Sequence, residues 1–259
     1  VVILAERRNW TRQELLLAFN LYCKLPFGQF DHRNPHIIRL AQIINRTPSA
    51  VSMKLSNFAS FDPLHQARGV KGLSNASVAD RAAWAEFTSD WTRFAEESEQ
   101  LLESLSQQEE AIISQPDFLE IPNRPTEGER LVKIRRGQRF FRKTILSAYG
   151  LCCICKIPIP ELLVASHIIP WREREDLRLN PHNGLCLCAL HDKAFDQGLI
   201  TVTIDYKVRI SPIIDNYLPH KTLLNSFKIY DDQVISLPHK FLPREDFLAI
   251  HLQRYFRSH

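Results

Sequence analysis

His167 sits in an apolar run, 162–170, of the kind that forms a buried strand. A strand-fixed imidazole titrating near neutrality is equipped to act as a general base. Asn183 follows in Asn180-Pro181-His182-Asn183-Gly184, a turn signature, where its amide can hold the His167 ring or cross-brace the loop. His191, Asp192 and Asp196 then fall at helical spacing, and Asp192 and Asp196 share one helix face, where two carboxylates can bind one divalent ion. A phosphodiester resists hydrolysis because its charge repels nucleophiles and its alkoxide is a poor leaving group. A base for water and a cation for the developing charge meet those two difficulties.

Cysteine usage adds a second possible metal chemistry. Of the six cysteines all but Cys23 lie between 152 and 188, beginning with the Cys-x-x-Cys of Cys152 and Cys155. Clustering beside histidine, without a secretion signal, points to metal ligands or buried thiols and not to a disulfide framework. Cys153 and Cys186 read as core thiols. Val1-Val2-Ile3-Leu4-Ala5 is too short for a signal-peptide core, and no apolar stretch approaches the ~18 residues of a membrane helix, so a cytoplasmic protein is expected.

The elements that must position these groups are legible in outline. Thr11 and Glu14 form a Thr-x-x-Glu capping box ahead of Leu15, Leu16, Ala18, Phe19 and Tyr22. Asn34-Pro35 and Thr47-Pro48 repeat a cap-plus-proline device for a second and a third helix, separated by Asn45-Arg46. Residues 78–113 read as amphipathic helix, an arm for packing or dimer formation, and Pro116, Pro122, Pro125 and Gly128 mark a linker. A basic helix follows. Residues 130–143 carry seven Lys or Arg and no acid, although the whole chain is only +4. Two strands at 200–205 and 207–211, a third at 233–237 and a last helix after Pro243 complete the expectation. At 259 residues, with 44% hydrophobic and 24% charged residues, the chain can build two soluble domains.

The stretch from Arg139-Phe140-Phe141-Arg142 through Tyr149, Cys152, Leu162-Leu163, Ala165-Ser166-His167-Ile168, Asn183-Gly184-Leu185 and His191-Asp192-Lys193-Ala194-Phe195-Asp196 resembles the HNH, or ββα-metal, endonuclease family, in its restriction-type branch. The resemblance implies that His167 activates water, that Asn183 is the middle residue orienting it, and that His191 or Asp192 takes the third position, binding a catalytic Mg2+ or Mn2+. Many relatives carry Asp or His immediately before the base; here the residue is Ser166. Two registers remain for the third position. Where relatives have paired Cys-x-x-Cys knuckles, Cys152, Cys155, Cys188 and His191 would hold structural Zn2+ and Asp192 the catalytic ion. Without zinc, His191 itself binds the catalytic metal, and this second register is the one favoured by how often relatives lack Cys155 and Cys188.

Residues 10–60 resemble, less specifically, a Myb- or winged-helix-type helix-turn-helix, through Trp10-Thr11, Glu14-Leu15, Leu40-Ala41 and Ile44-Asn45-Arg46-Thr47-Pro48-Ser49-Ala50-Val51. Such modules place their last helix in the major groove, which nominates Arg46, Thr47, Ser49, Ser52, Lys54 and Asn57 for DNA contact. In the basic helix Arg135, Arg136, Arg139 and Arg142 are nominated for phosphates.

The resulting expectation is an α+β protein: a helix-turn-helix-like DNA-reading domain at 1–75, a helical arm and linker at 76–127, and an HNH nuclease domain at 128–259. The expected activity is metal-dependent cleavage of double-stranded DNA, of restriction type and with a possible requirement for modified bases, by a homodimer. A nicking or RNA-directed nuclease is the alternative among enzymes. A non-catalytic DNA-binding regulator with a structural metal knuckle is the alternative of another class.

Overall fold

The structure, a computed structural model, describes residues 8–69, 76–110 and 129–258, with backbone alone at 107–110 and 129–135. The linker prolines and the segment 1–5 lie outside the described residues. The chain divides into two compact units, 1–140 and 141–259.

The first unit is helical, and its helices start where the caps dictate. Helix α1 (Arg12–Lys24) carries the full Thr11–Glu14 capping box. Helix α2 (Pro35–Ile43) is capped by Asn34, α3 (Pro48–Ala59) by Thr47 and α4 (Pro63–Ala67) by Asp62, each with proline in the first turn. A second capping box, Ser77 with Asp80, opens α5 (Val78–Ser89), and α6 (Trp91–Glu110) follows after Asp90 breaks the helix. The expected single arm is therefore two helices. Phe19 on α1 is fully buried at the centre of the core, meeting Phe58 at 5.1 Å, Trp84 at 5.3 Å, Phe87 at 5.6 Å and Phe94 at 4.9 Å between ring centroids. Edge-on and tilted aromatic pairs of this kind add about 0.5–1.5 kcal/mol each beyond burial.

Helix α7 (Glu129–Tyr149) is the basic helix. From Phe141 on it belongs to the second unit, where a tight turn through the Cys-x-x-Cys precedes strand β1 (Leu163–His167). Strand β2 (Gly184–Cys188) pairs antiparallel to β1, setting His167 opposite Gly184 and Leu163 opposite Cys188, and runs directly into α8 (Ala189–Asp196). This is a ββα unit. Strands β3 (Ile200–Val202) and β4 (Val208–Ile210) form a second antiparallel pair, followed by α9 (Lys221–Ser226) and α10 (Glu245–Arg254). The strand expected at 233–237 reduces to one bridge, Lys207 with Val234. Two glycines are required by close approach. A Cβ on Gly184 would lie 2.4 Å from Ile145 Cδ1 on α7, and one on Gly198, which has φ +68°, would meet the Tyr255 carbonyl at 1.9 Å.

Candidate nuclease site and thiol cluster

His167 is the last residue of β1, and three neighbours fix its ring. Phe141 stacks on it at 4.0 Å with 9° between planes, and Trp171 meets it edge-on at 5.4 Å. The Arg178 carbonyl lies 2.9 Å from Nε2. A carbonyl only accepts, so Nε2 carries the proton and Nδ1 bears the lone pair. Burial pushes the imidazole pKa below its ordinary value, partly offset by the Arg178 hydrogen bond. The ring is therefore neutral at neutral pH, the state a base requires.

Asn183 is 1% exposed and gives its amide wholly to the loop after His167. Its Oδ1 accepts from Ile169 N at 2.8 Å, while Nδ2 donates to Ile169 O at 3.1 Å and Leu177 O at 3.3 Å. Of the two roles read from its position, bracing the loop is the one seen. Both amide hydrogens are committed to backbone carbonyls, so the amide has no donor left to orient a water.

On α8, His191 and Asp192 part company. His191 is 2% exposed; its Nε2 lies 2.8 Å from the Ser226 carbonyl, and its Nδ1 lies 3.5 Å from Cys152 Sγ and 3.2 Å from Cys188 Sγ. Cys155 Sγ lies 3.8 Å from Cys188 Sγ, and the four candidate ligand atoms fall within 4.8 Å of one another. All six cysteines are free thiols. Cys153 and Cys186 are core thiols whose titration burial pushes up, to about 12 for Cys186. Asp192 is half-buried beside the buried Ser166 hydroxyl. Burial raises its pKa above the ordinary carboxylate value; the Ser166 hydroxyl opposes that shift and the Asp196 charge adds to it. Asp196 is exposed and also raised, by desolvation. With both nitrogens of His191 occupied, the register in which it binds the catalytic ion loses its geometric basis.

The nominated DNA contacts fare unevenly. Arg46 is held by Glu14 at 2.9 Å and by the carbonyls of Arg8 and Asn9 at 2.8 and 2.7 Å, with Trp10 under its guanidinium. Lys54 is buried against Asp80, and Asn57 donates to the same carboxylate at 2.9 Å. Ser52 donates to the Phe30 carbonyl. All four side chains thus have partners within the helical unit, and Lys54 and Asn57, the two that are buried, share the Asp80 carboxylate. Thr47 caps α3, and Ser49 is exposed. Among the basic-helix residues, Arg136 pairs with Glu103, and Arg142 donates to the carbonyls of Leu163 at 2.6 Å and Pro160 at 3.1 Å, fixing the start of β1. Arg139 is exposed, and the Arg135 side chain lies outside the described residues.

Arg178 and Trp171 were not legible as site residues. Arg178 donates from Nε to the Trp171 carbonyl at 2.8 Å and covers the Trp171 ring at 5.1 Å, so the loop around His167 is closed by its own side chains. The working atom of Arg178 is a backbone oxygen, which leaves no signature in residue type.

No helix among the described residues is long and apolar enough to cross a membrane. No curated protein matches the chain by sequence. Residues 152–203, which hold the ββα unit and strand β3, match the family model described as HNH endonuclease, and the C-terminal unit accordingly contains an HNH domain.

Proposed function

We propose that the protein is a divalent-metal-dependent endonuclease that hydrolyses phosphodiesters of double-stranded DNA, of restriction type and acting as a homodimer in the cytoplasm. The observation that carries this reading is His167: a neutral imidazole with Nε2–H tied to the Arg178 carbonyl and Nδ1 bearing the lone pair. In this scheme Nδ1 removes a proton from water, and the Arg178 carbonyl stabilises the imidazolium that results. Phe141 keeps the ring plane fixed, and Asn183 acts as a positioning residue by bracing the loop.

Asp192, with Asp196 and the Ser166 hydroxyl, supplies hard oxygen donors suited to Mg2+ or Mn2+. The fit rests on Asp192: a half-buried carboxyl whose charge is opposed by burial and by Asp196 gains from a cation. When bound, such an ion neutralises charge developing on the phosphate and the leaving oxygen. Exposed Arg139 and Lys143 are the α7 cations we assign to phosphate contact. Ser49 and Thr47 remain the α3 groups assigned to bases. One such site cuts one strand, so a double-strand break calls for two copies and suits a palindromic target.

The deciding experiment is plasmid cleavage with Mg2+ or Mn2+, on unmodified and modified DNA, comparing wild type with His167→Ala. Cleavage by wild type alone supports the reading. If both bind DNA equally and neither cuts any substrate, the protein is a DNA-binding regulator and the nuclease assignment fails.

A further inference from the structure

We infer that Arg254 and Arg257, at and just beyond the C-terminal end of α10, form a further phosphate-contact surface beside the catalytic carboxylates, and that Glu173 holds Arg254 until DNA displaces it. The inference rests on the nuclease reading above and adds to its DNA interface two residues that no sequence motif nominates.

Helix α10 is docked against both parts of the site. Toward α8, the His251 ring stacks on Phe195 at 3.7 Å with 11° between planes, and its Nδ1 lies 2.8 Å from Thr201 Oγ1. Burial holds the His251 imidazole down to about 4, so it anchors the helix as a neutral ring and offers no charge to a phosphate. Just beyond, the Tyr255 carbonyl packs so closely on Gly198 that a Cβ there has no room, and the Arg257 N–H donates to the Gly198 carbonyl at 2.9 Å. The Arg257 carbonyl in turn accepts from Ser211 Oγ at 2.6 Å. Its backbone is thus fixed against Gly198, two residues beyond Asp196, while its side chain is exposed. Toward the loop after His167, Arg254 Nη1 lies 3.8 Å from Glu173 Oε2. The Tyr255 hydroxyl lies beside the same carboxylate, and burial together with that charge pushes the phenol up to about 12. Glu173 closes a turn onto the Pro170 carbonyl at 3.0 Å, in the loop that also carries Trp171 and the Arg178 carbonyl.

The charges around the site call for such cations. The carboxylates of Glu173, Asp192 and Asp196 repel a phosphate backbone, and one divalent ion leaves one of these three charges uncompensated. Duplex DNA carries a negative charge about every 1.7 Å of its axis, so phosphates flanking the scissile one fall within reach of neighbouring side chains. Arg257 has no ion-pair partner among the described residues. Arg254 is 66% exposed and its distance to Glu173 is longer than a hydrogen bond, so the pair is held by charge alone. An exposed pair of this kind contributes little to stability, and a phosphate can take the place of Glu173 at small cost. Arg142 differs: its guanidinium is committed to the Leu163 and Pro160 carbonyls and is not free to exchange.

The test is binding of a fluorescent DNA duplex to the full chain, followed by anisotropy across a salt series in metal-free buffer, with cleavage in Mg2+ measured in parallel. Arg254→Ala and Arg257→Ala are each expected to lower the slope of log Kd against log salt by about 1, and the double variant by about 2, equally on unrelated sequences. Thermal unfolding midpoints should stay at the wild-type value. Glu173→Gln is expected to bind more tightly than wild type. Arg244→Ala, at the other end of α10 and paired with Asp246, should keep the wild-type slope. A wild-type slope in the double variant, the same loss in Arg244→Ala, or no gain in Glu173→Gln overturns the proposal. If wild type cuts DNA while the double variant keeps its slope, this surface fails and the nuclease reading stands. If the slopes fall as expected in a protein that cuts nothing, the surface stands and the nuclease reading fails. Wild type that binds no duplex sinks both.

Discussion

The Arg178 carbonyl oxygen stands 2.9 Å from Nε2 of His167, and that single contact decides which imidazole nitrogen faces chemistry. Burial lowers the His167 pKa below its ordinary 6.5, so the neutral base is the dominant form above that value. The rate of DNA cleavage should therefore rise with pH along an acid limb whose midpoint lies below 6.5, then level off. His167→Gln should remove the limb and cost about 10²–10⁴-fold in rate with DNA binding retained. A pH–rate profile for kcat/KM under fixed metal and salt checks this; a midpoint above 7 contradicts the assigned environment.

Asn183 spans the loop it braces from Ile169 to Leu177. Asn183→Ala leaves buried backbone groups without partners, at a cost of about 1–3 kcal/mol in unfolding free energy. Asn183→Asp keeps the size, but as a carboxylate it cannot donate to the two carbonyls. Both variants should lose cleavage while binding DNA as wild type does, and urea unfolding should register the loss. Unchanged stability in both would return the amide to a role toward solvent or substrate.

Much of this architecture is legible in the sequence, because caps are local. Thr11 with Glu14, Asn34-Pro35 and Thr47-Pro48 each satisfy helix ends from within four residues, and each helix begins where those groups place it. The strand bearing His167, the turn at Asn183 and the helix of Asp192 were legible from local apolar runs, turn residues and spacing, whereas the second strand, Gly184–Cys188, was implied only by the resemblance to ββα-metal domains. What could not be read was partnership across the chain. Lys54 and Asn57 look like surface groups on a recognition helix until Asp80, on another helix, is seen to claim both. Arg142 looks like a phosphate contact until its guanidinium is found on the Leu163 and Pro160 carbonyls. The balance between the two metal registers likewise depended on a distant backbone oxygen, that of Ser226.

Lys54 and Asp80 form a buried ion pair in the helical unit, with Asn57 on the second carboxylate oxygen. Removing one partner strands the other charge, so Asp80→Ala should destabilise the unit by about 3–5 kcal/mol. Lys54→Met should cost less, because Asp80 keeps its hydrogen bonds from Asn57 and from the Ser77 N–H. Chemical denaturation of both variants tests the order. The same Lys54→Met protein distinguishes roles: a loss of DNA affinity at wild-type stability would mean that Lys54 faces DNA after all.

Asp192 should show activity and stability moving in opposite directions. Its folded pKa lies above the unfolded value, so its charge costs stability at neutral pH, and the cost disappears as pH falls and the carboxyl protonates. Asp192→Asn removes that charge and the repulsion from Asp196 while keeping the shape. In metal-free buffer at pH 7 the variant should be more stable than wild type, by less than about 1 kcal/mol once solvent screening of a half-exposed group is allowed for. Cleavage should fall by at least about 10²-fold, since a proposed ligand of the catalytic cation is lost. Asp196→Asn, at the exposed end of α8, should change stability little and cleavage less. Thermal unfolding with and without Mg2+ separates the two effects: added Mg2+ should raise the wild-type midpoint and leave the Asp192→Asn midpoint where it was. An equal Mg2+ response in both proteins would remove Asp192 from the ion's shell and direct attention to Asp196 and the Ser166 hydroxyl.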